Sequence, residues 1–98
     1  MSQPEFDQLL RFFKALGNES RLKIVGILAN REATVGDLAD LLELREPTVS
    51  HHLAALKELG LVHMWAEGNA HVYALDEGAL IDLKKDVFSR AGMASLVR

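Results

Sequence analysis

Four histidines and a few carboxylates are the side chains of this 98-residue chain that could do chemistry near neutral pH. Their positions, His51, His52, His63 and His71, do not follow the spacing of a known zinc motif. The chain has no cysteine, which excludes a thiolate metal site, a cysteine nucleophile and a disulfide scaffold. It also lacks a nucleophile elbow and a glycine-rich phosphate loop. The sequence therefore predicts neither an enzyme nor a cofactor.

Two aspartates near the C-terminus, Asp82 and Asp86, are separated by four positions, so they would share one face of a helix. Such a pair could bind a hard cation weakly. A solvated acidic face beside Lys84 and Lys85 is the simpler interpretation. We therefore expect no metal there.

The segment from Glu46 to Leu59 indicates a different chemistry, hydrogen bonding to nucleic acid. On a helical wheel its apolar side carries Val49, His52, Leu53, Leu56 and Leu59, and its other side carries Pro47, Ser50, His51, Ala54, Ala55 and Glu58. Serine and histidine can hydrogen-bond to base edges or phosphates, and alanine permits close approach. A short polar face of this kind fits the major groove, although the same face could be ordinary solvated surface.

The elements that would position this face follow from apolar spacing and end signals. Two helices, 34–42 and 46–59, form a predicted helix-turn-helix, and Thr34 with Asp37 resembles a capping box. Strands at 61–65 and 71–75 form a hairpin, which we treat as a wing over 61–75. Further helices are expected at 5–16 and 79–91. Another is expected to begin at Asn18 and to precede the helix at 34–42. We predict one mainly α domain over 1–98, a winged helix-turn-helix with a two-stranded wing.

Three segments resemble one protein family. The run TVSHHLAALKELGLV at 48–62 resembles the recognition-helix signature of the ArsR/SmtB family of bacterial transcriptional repressors. The run ALGNESRLKI at 15–24 is similar to the start of that family's second helix, and EGNAHVYAL at 67–75 resembles its wing. The resemblance implies four helices, a wing and a fifth helix. It also implies a homodimer that binds a palindromic operator in double-stranded DNA and blocks transcription by occupying it.

The resemblance and the helical wheel together give the expected DNA-binding residues. These are Arg45, Pro47, Thr48, Ser50, His51, Ala54, Lys57, Asn69 and His71. By the same resemblance, further phosphate contacts could come from Arg11, Lys14, Arg21 and Lys23. An alternative is a winged-helix module that binds protein and has little affinity for DNA, which the low basic content supports.

The sequence departs from the family at both of its metal sites. Where one site uses a Cys-Val-Cys-Asp type of motif, this chain has Thr34-Val35-Gly36-Asp37, and residues 79–98 contain no histidine for the other. We expect a regulator that does not sense metals, and the effector is left open. Two other departures concern DNA: Arg45 stands where the family usually has a Ser or Thr N-cap, and the wing carries Glu67 where arginines are usual.

Charge in the predicted DNA-binding segment depends on its histidines. Residues 45–73 hold two basic and three acidic side chains, a net charge of −1, together with all four histidines. Full protonation would change this to +3, and DNA phosphates favour the charged form of histidine. We expect DNA binding to strengthen as the pH falls. His52 lies at the edge of the apolar side, so we expect a structural role in which a ring nitrogen bonds to a neighbour.

Apolar stripes on the two terminal helices predict a dimer, although both stripes could instead pack on the chain's own core. The expected interface residues are Phe6, Leu9, Leu10, Phe13, Leu80, Leu83, Val87 and Phe88. A two-fold dimer would present two recognition helices about one DNA turn apart. No apolar run reaches the roughly 18 residues of a membrane span, and the N-terminus does not read as a signal peptide. We therefore expect a cytoplasmic protein without a membrane partner.

Overall fold

The structure is a computed structural model that describes residues 2–87 and 89–97, except for the side chains at 83, 84, 86 and 87. The elements in chain order are α1 Gln3–Leu16, α2 Glu19–Leu28, β1 Ala33–Thr34, α3 Val35–Leu42, α4 Glu46–Glu58, β2 Val62–Glu67, β3 Ala70–Leu75, α5 Glu77–Val87 and α6 Arg90–Ser95. The strands form an antiparallel sheet in the order β1-β3-β2. This mainly helical arrangement confirms the predicted winged helix-turn-helix.

The sheet has three strands where the sequence predicted two. The additional strand, β1, pairs with β3 through Ala33 opposite Tyr73 and Thr34 opposite Val72. A strand of two residues is too short to show an alternating pattern, so sequence periodicity could not reveal it. Thr34 ends this strand and is also the N-cap of α3, so the helix-turn-helix begins at Val35.

Local end signals explain where the helices begin and end. The Thr34 hydroxyl accepts from the Asp37 backbone N–H at 3.1 Å, and the Asp37 carboxylate accepts from the Thr34 N–H at 3.0 Å. This is the predicted capping box. Helix α4 starts with Pro47 in its first turn, and Gly60 follows its C-cap with a φ of +76°, which favours glycine. Arg45 is the N-cap of α4 and makes no side-chain cap bond.

The core lies between α1–α4 and the sheet. Its most deeply buried side chains are Ile24, Leu38, Leu53, Leu56, Leu61 and Val49. Helix α1 contributes Leu9, Phe12 and Ala15, so its core-facing side includes Phe12, which the predicted stripe left out. Helix α2 is only partly buried: Ile24 and Leu28 lie in the core, whereas Leu22 is 56% exposed.

The C-terminal region forms two helices where one was predicted over 79–91. Helix α5 starts earlier, at Glu77, and α6 follows with Ser89 as its N-cap. The Ser89 hydroxyl accepts from the Gly92 backbone N–H at 3.0 Å, which orders the start of α6. The overall shape is elongated, 46 × 21 × 21 Å. Among the described residues, no helix combines the length and apolar character needed to cross a membrane.

Candidate nucleic-acid interface

The outer face of α4 is polar and open, as the helical wheel predicted. Ser50, His51 and Ala54 are exposed, while Val49, Leu53 and Leu56 are buried beneath them. Ala55 is only half-buried, so it lies at the border of this face. The structure exposes every predicted DNA-binding residue: Arg45, Pro47, Thr48, Ser50, His51, Ala54, Lys57, Asn69 and His71. Because Pro47, Ser50, Ala54 and Lys57 follow i, i+3, i+7, i+10 spacing, they share one stripe along α4.

An acidic side chain stands at the start of this stripe. Glu46 is the first residue of α4 and is exposed next to Arg45. Its Oε1 atom lies close to the start of α3, since a Cβ built on Gly36 would be 3.3 Å away. The negative charge of this carboxylate is stabilised by the positive end of the helix dipole, but it would repel a DNA phosphate. Glu46 was not among the predicted site residues, although its position beside Arg45 was a usable signal.

His52 joins α4 to α2 through Arg21. The Arg21 Nε–H donates to Nδ1 of His52 at 3.1 Å, and the pair is partly buried. This bond agrees with the predicted structural role. Burial lowers the pKa of His52, with further contributions from the positive charges of Arg21 and His51. Protonation of His52 is therefore disfavoured, and protonation of the other three histidines alone would bring the segment charge to +2.

The side chains of the wing fall into two groups, one on each face of the hairpin, because successive side chains along a strand point to opposite faces. In the β2–β3 register, His63 is opposite Ala74 and His71 is opposite Ala66, which puts the two histidines on different faces. The two histidines are therefore not neighbours on the wing. His63 instead lies beside Trp65, with 5.7 Å between ring centroids. The tip is a two-residue turn, in which Gly68 has a φ of +60° and Asn69 is exposed.

The other expected basic contacts differ in their freedom to reach DNA. Lys23 forms an exposed ion pair with Glu19, with 3.0 Å between Nζ and Oε1. Arg21 is committed to His52 through its Nε. Arg11 and Lys14 are exposed on α1. The exposed candidate residues therefore lie mainly on α4 and the wing, and Arg21 is held by His52.

Carboxylates and histidines do not gather into a metal site in the part of the chain that the structure describes. Asp82 is exposed on α5, and the side chain of Asp86 lies outside the described part, so their pairing is not defined. Asp37, at the position of one family metal site, is engaged in the capping box. Its hydrogen bonds to the backbone and hydroxyl of Thr34 lower the pKa of Asp37, with a smaller contribution from Arg31.

The predicted dimer surfaces are only partly exposed. Leu10 and Phe13 are 43% and 45% exposed on α1, whereas Leu9 is buried in the protomer's own fold. Phe6 and Leu80 are half-buried. Phe88 and the side chains of Leu83 and Val87 lie outside the described part of the structure. On α5, Ile81 is 52% exposed, although it is not among the predicted interface residues.

Comparison with known proteins identifies the family. The family model described as bacterial regulatory protein, arsR family, matches residues 18–64, from the cap of α2 into β2. The chain is 34% identical over 87 residues to the transcriptional repressor SmtB homolog of Synechocystis, covering 89% of this chain and 66% of that protein. It is 37% identical over 81 residues to the transcriptional activator HlyU of Vibrio cholerae, covering 80% of this chain and 75% of that protein. The chain spans 61 to 66% of the length of the SmtB and CadC relatives it matches.

A solved structure gives the same result in three dimensions. Reduced HlyU from Vibrio cholerae N16961 superimposes with a TM-score of 0.71 at 31% identity, covering 90% of this chain and 96% of that one. The chain therefore belongs to the arsR family of bacterial regulatory proteins, a family of transcriptional regulators and not of enzymes.

Proposed function

We propose that this protein is a homodimeric repressor that binds a palindromic operator in double-stranded DNA and acts by occupying it. The observation that carries the proposal is the outer face of α4, where Ser50, His51 and Ala54 are exposed. Their side chains are short enough to let the helix enter a major groove about 12 Å wide. The whole chain, 1–98, would act as one DNA-binding domain.

Each residue of the interface has a role that follows from its position. Ser50 and His51 read base edges, and Ala54 lets the helix backbone approach. Arg45 at the start of α4 and Lys57 at its end contact phosphates, because both are exposed on the same helix and positively charged. At the wing, Asn69 and His71 meet the backbone or the minor groove. Pro47 and Thr48 complete the surface at the first turn of α4.

The dimer would form through the terminal helices. Leu10 and Ile81 supply exposed apolar surface on α1 and α5, which a monomer would leave in water. Phe13 and Leu80 lie on the same two helices, and the neighbouring positions Leu83, Val87 and Phe88 belong to the predicted interface. A charge at one exposed position, Leu10→Glu, should convert the dimer to monomer in analytical ultracentrifugation and weaken operator binding. Leu41→Glu, at a 55% exposed position on α3, is the matched control.

Regulation by metal at the two family sites is not part of the proposal. Thr34 and Gly36 replace the cysteines of one site, and Asp37 is used for capping. The last part of the chain, 79–98, has no histidine for the other. The effector is therefore a separate question. Operator occupancy implies a cytoplasmic location, where bacterial DNA lies.

The test is a titration of the purified protein against its own upstream promoter fragment and a random duplex, at two salt concentrations. We expect preference for the promoter fragment and affinity that falls as salt rises. A reporter gene behind the bound fragment then tests the sign of regulation. Reduced expression agrees with a repressor, and increased expression would place the protein with activators such as the HlyU it resembles.

A second candidate function is a winged-helix module that binds another protein. The net charge of −1 over residues 45–73 and the acid at Glu67 favour it. Charge reversal at Arg45 and Lys57 separates the two functions. Loss of DNA binding in these variants agrees with the repressor, whereas weak and equal binding of both duplexes by the unmodified protein favours the protein-binding module.

A further inference from the structure

Helix α4 is held in the fold mainly by apolar contacts. Its buried side chains are Val49, Leu53 and Leu56, which pack into the core with residues of α2, α3 and β2. Apolar burial depends on area and has little directional preference. Burial of this one side sets the approximate rotation of the helix about its own axis, whereas a directional contact is needed to oppose small rotations. Rotation matters because it decides which base edges Ser50 and His51 would meet.

The Arg21–His52 bond is directional. In the part of the chain that the structure describes, it is the one side-chain hydrogen bond that joins α4 to another helix. Its donor, the Nε–H of Arg21, projects from the first turn of α2, where the Arg21 backbone N–H is itself fixed by the Asn18 cap at 3.0 Å. A hydrogen bond weakens steeply as its angle departs from linear. The bond therefore opposes rotation of α4 relative to α2.

The hydrogen bond at Nδ1 of His52 also determines which ring nitrogen carries the proton. Nδ1 accepts from Arg21, so it carries no proton, and a neutral ring then has its proton on Nε2. The ring of His51, one residue earlier, lies 6.0 Å away between centroids and points to the exposed face. The adjacent residues His51 and His52 thus point in different directions: His51 faces outward, and His52 faces α2.

We propose that His52 is a positioning residue, which acts through its Nδ1 bond to Arg21 to set the rotation of α4 and so the discrimination between operator and other DNA. The inference rests on the proposed DNA-binding function. It assigns to His52 an effect on specificity that is larger than its effect on the free energy of unfolding. Non-specific binding depends on phosphate contacts and should change little.

Three substitutions separate this role from the alternatives. In His52→Asn, the side-chain oxygen reaches the place of Nδ1 and can still accept from Arg21. His52→Gln places its polar atoms near Nε2, where they could serve a direct DNA contact but not the bond to Arg21. His52→Leu removes both possibilities and keeps an apolar side chain at the border of the core. Thermal melting of all three variants checks that each remains folded.

We expect His52→Leu and His52→Gln to lower the ratio of operator to random-duplex affinity by at least about fivefold, the size of one net hydrogen bond. His52→Asn should keep the ratio of the unmodified protein. Rescue by Gln and not by Asn would assign His52 to direct DNA contact and overturn the proposal. An unchanged ratio in His52→Leu would overturn it as well.

A second measurement on the free protein does not depend on DNA binding. Imidazole ¹⁵N shifts in NMR report which ring nitrogen carries the proton. We expect His52 to show an unprotonated Nδ1, and Arg21→Met to shift both this signal and the backbone amide signals of Ser50 and His51. A protonated Nδ1, or unchanged amide signals, would overturn the positioning role. Failure of the unmodified protein to bind any DNA would instead contradict the proposed function.

Discussion

Trp65 holds Glu67 on one face of the wing: the indole Nε1–H donates to Oε1 of Glu67 at 3.1 Å. The two residues are separated by two positions on β2, so their side chains project from the same face. Glu67 is the last residue of β2 before the Gly68–Asn69 turn. The bond therefore keeps a negative charge at the tip of the element that we expect to approach the DNA backbone.

Replacement of this acid should strengthen DNA binding. In Glu67→Arg, a repelling carboxylate is removed and a cation is placed at the wing tip of each protomer. We expect higher affinity for both operator and random duplex. The plot of log affinity against log salt should steepen by about one unit for each additional phosphate contact. Fluorescence anisotropy with labelled duplexes at several salt concentrations measures both quantities.

The matched control is Glu77→Arg, which makes the same change of charge at the start of α5. Glu77 follows the end of β3, whereas the wing tip is at the other end of the hairpin. A long-range effect of net charge would act in both variants. Equal salt slopes in the two variants would show that the wing does not meet the DNA backbone.

The pH dependence of DNA binding should come from three histidines. His51, His63 and His71 are the exposed histidines of the predicted DNA-binding segment. Because phosphates favour the protonated form, operator affinity should rise as the pH falls from about 8 to 6. His52 should contribute less to this dependence, because burial lowers its pKa and so disfavours its protonation. Affinity measured across this range should be flat in a variant with all three exposed histidines changed to Gln.

Protein stability should respond to His52 in the opposite direction. Its lowered pKa in the folded state means that the unfolded chain binds a proton more readily than the folded chain does. The neutral His52 therefore contributes stability above the ordinary histidine value of about 6.5, and this contribution is lost as the pH falls below it. Urea unfolding at pH 8 and 5.5 should show a smaller loss for His52→Asn than for the unmodified protein. Equal losses would show that this pKa shift does not contribute to stability.

Much of the candidate site could be predicted because it lies on a regular helix. The 3.6-residue period of α4 separates Val49, Leu53 and Leu56 from Ser50 and His51, and the structure has the same division. Residues that are distant in sequence were harder to relate. The Arg21–His52 bond spans 31 positions, and no local pattern indicates which side chain on α2 faces α4.

The features that the sequence did not predict correctly also depend on contacts between distant parts of the chain. The two faces of the wing depend on strand register, which is fixed by the Gly68–Asn69 turn, and a shift of one residue would exchange them. On α1, Phe12 and Phe13 are adjacent aromatics, and apolar type alone did not show which one is buried. The core takes Phe12, and Phe13 packs edge-on against it with 5.7 Å between ring centroids.

Arg45 offers a test in which stability and DNA affinity should move in opposite directions. It occupies the N-cap of α4 without a side-chain cap bond. In Arg45→Ser, the hydroxyl can accept a backbone N–H of the first turn, which should raise the free energy of unfolding by about 0.5–2 kcal/mol. The same change removes a cation beside DNA, so affinity should fall and the salt dependence should become weaker.

The comparison for Arg45 is Arg45→Lys, which keeps the charge and adds no cap. Its stability should equal that of the unmodified protein, and its DNA affinity should be largely retained. If Arg45→Ser binds the operator as tightly as the unmodified protein, Arg45 does not contact a phosphate. The cap prediction is tested separately by chemical denaturation, so one result does not depend on the other.

The core side of α4 can be tested by truncation. Leu53 and Leu56 are both 0% exposed, so Leu53→Ala or Leu56→Ala removes buried methyl groups and leaves a cavity. Each should lower the free energy of unfolding by about 2–5 kcal/mol. Leu41→Ala makes the same chemical change at a position that is 55% exposed, and its effect on the isolated protomer should be well below that range. Chemical denaturation of the three variants gives the comparison.

If Leu41→Ala lowers the free energy of unfolding as much as Leu53→Ala does, the Leu41 side chain is buried by another molecule in solution. Small losses at both Leu53 and Leu56 would mean that α4 is rotated, and that Ser50, His51 and Ala54 do not form its outer face.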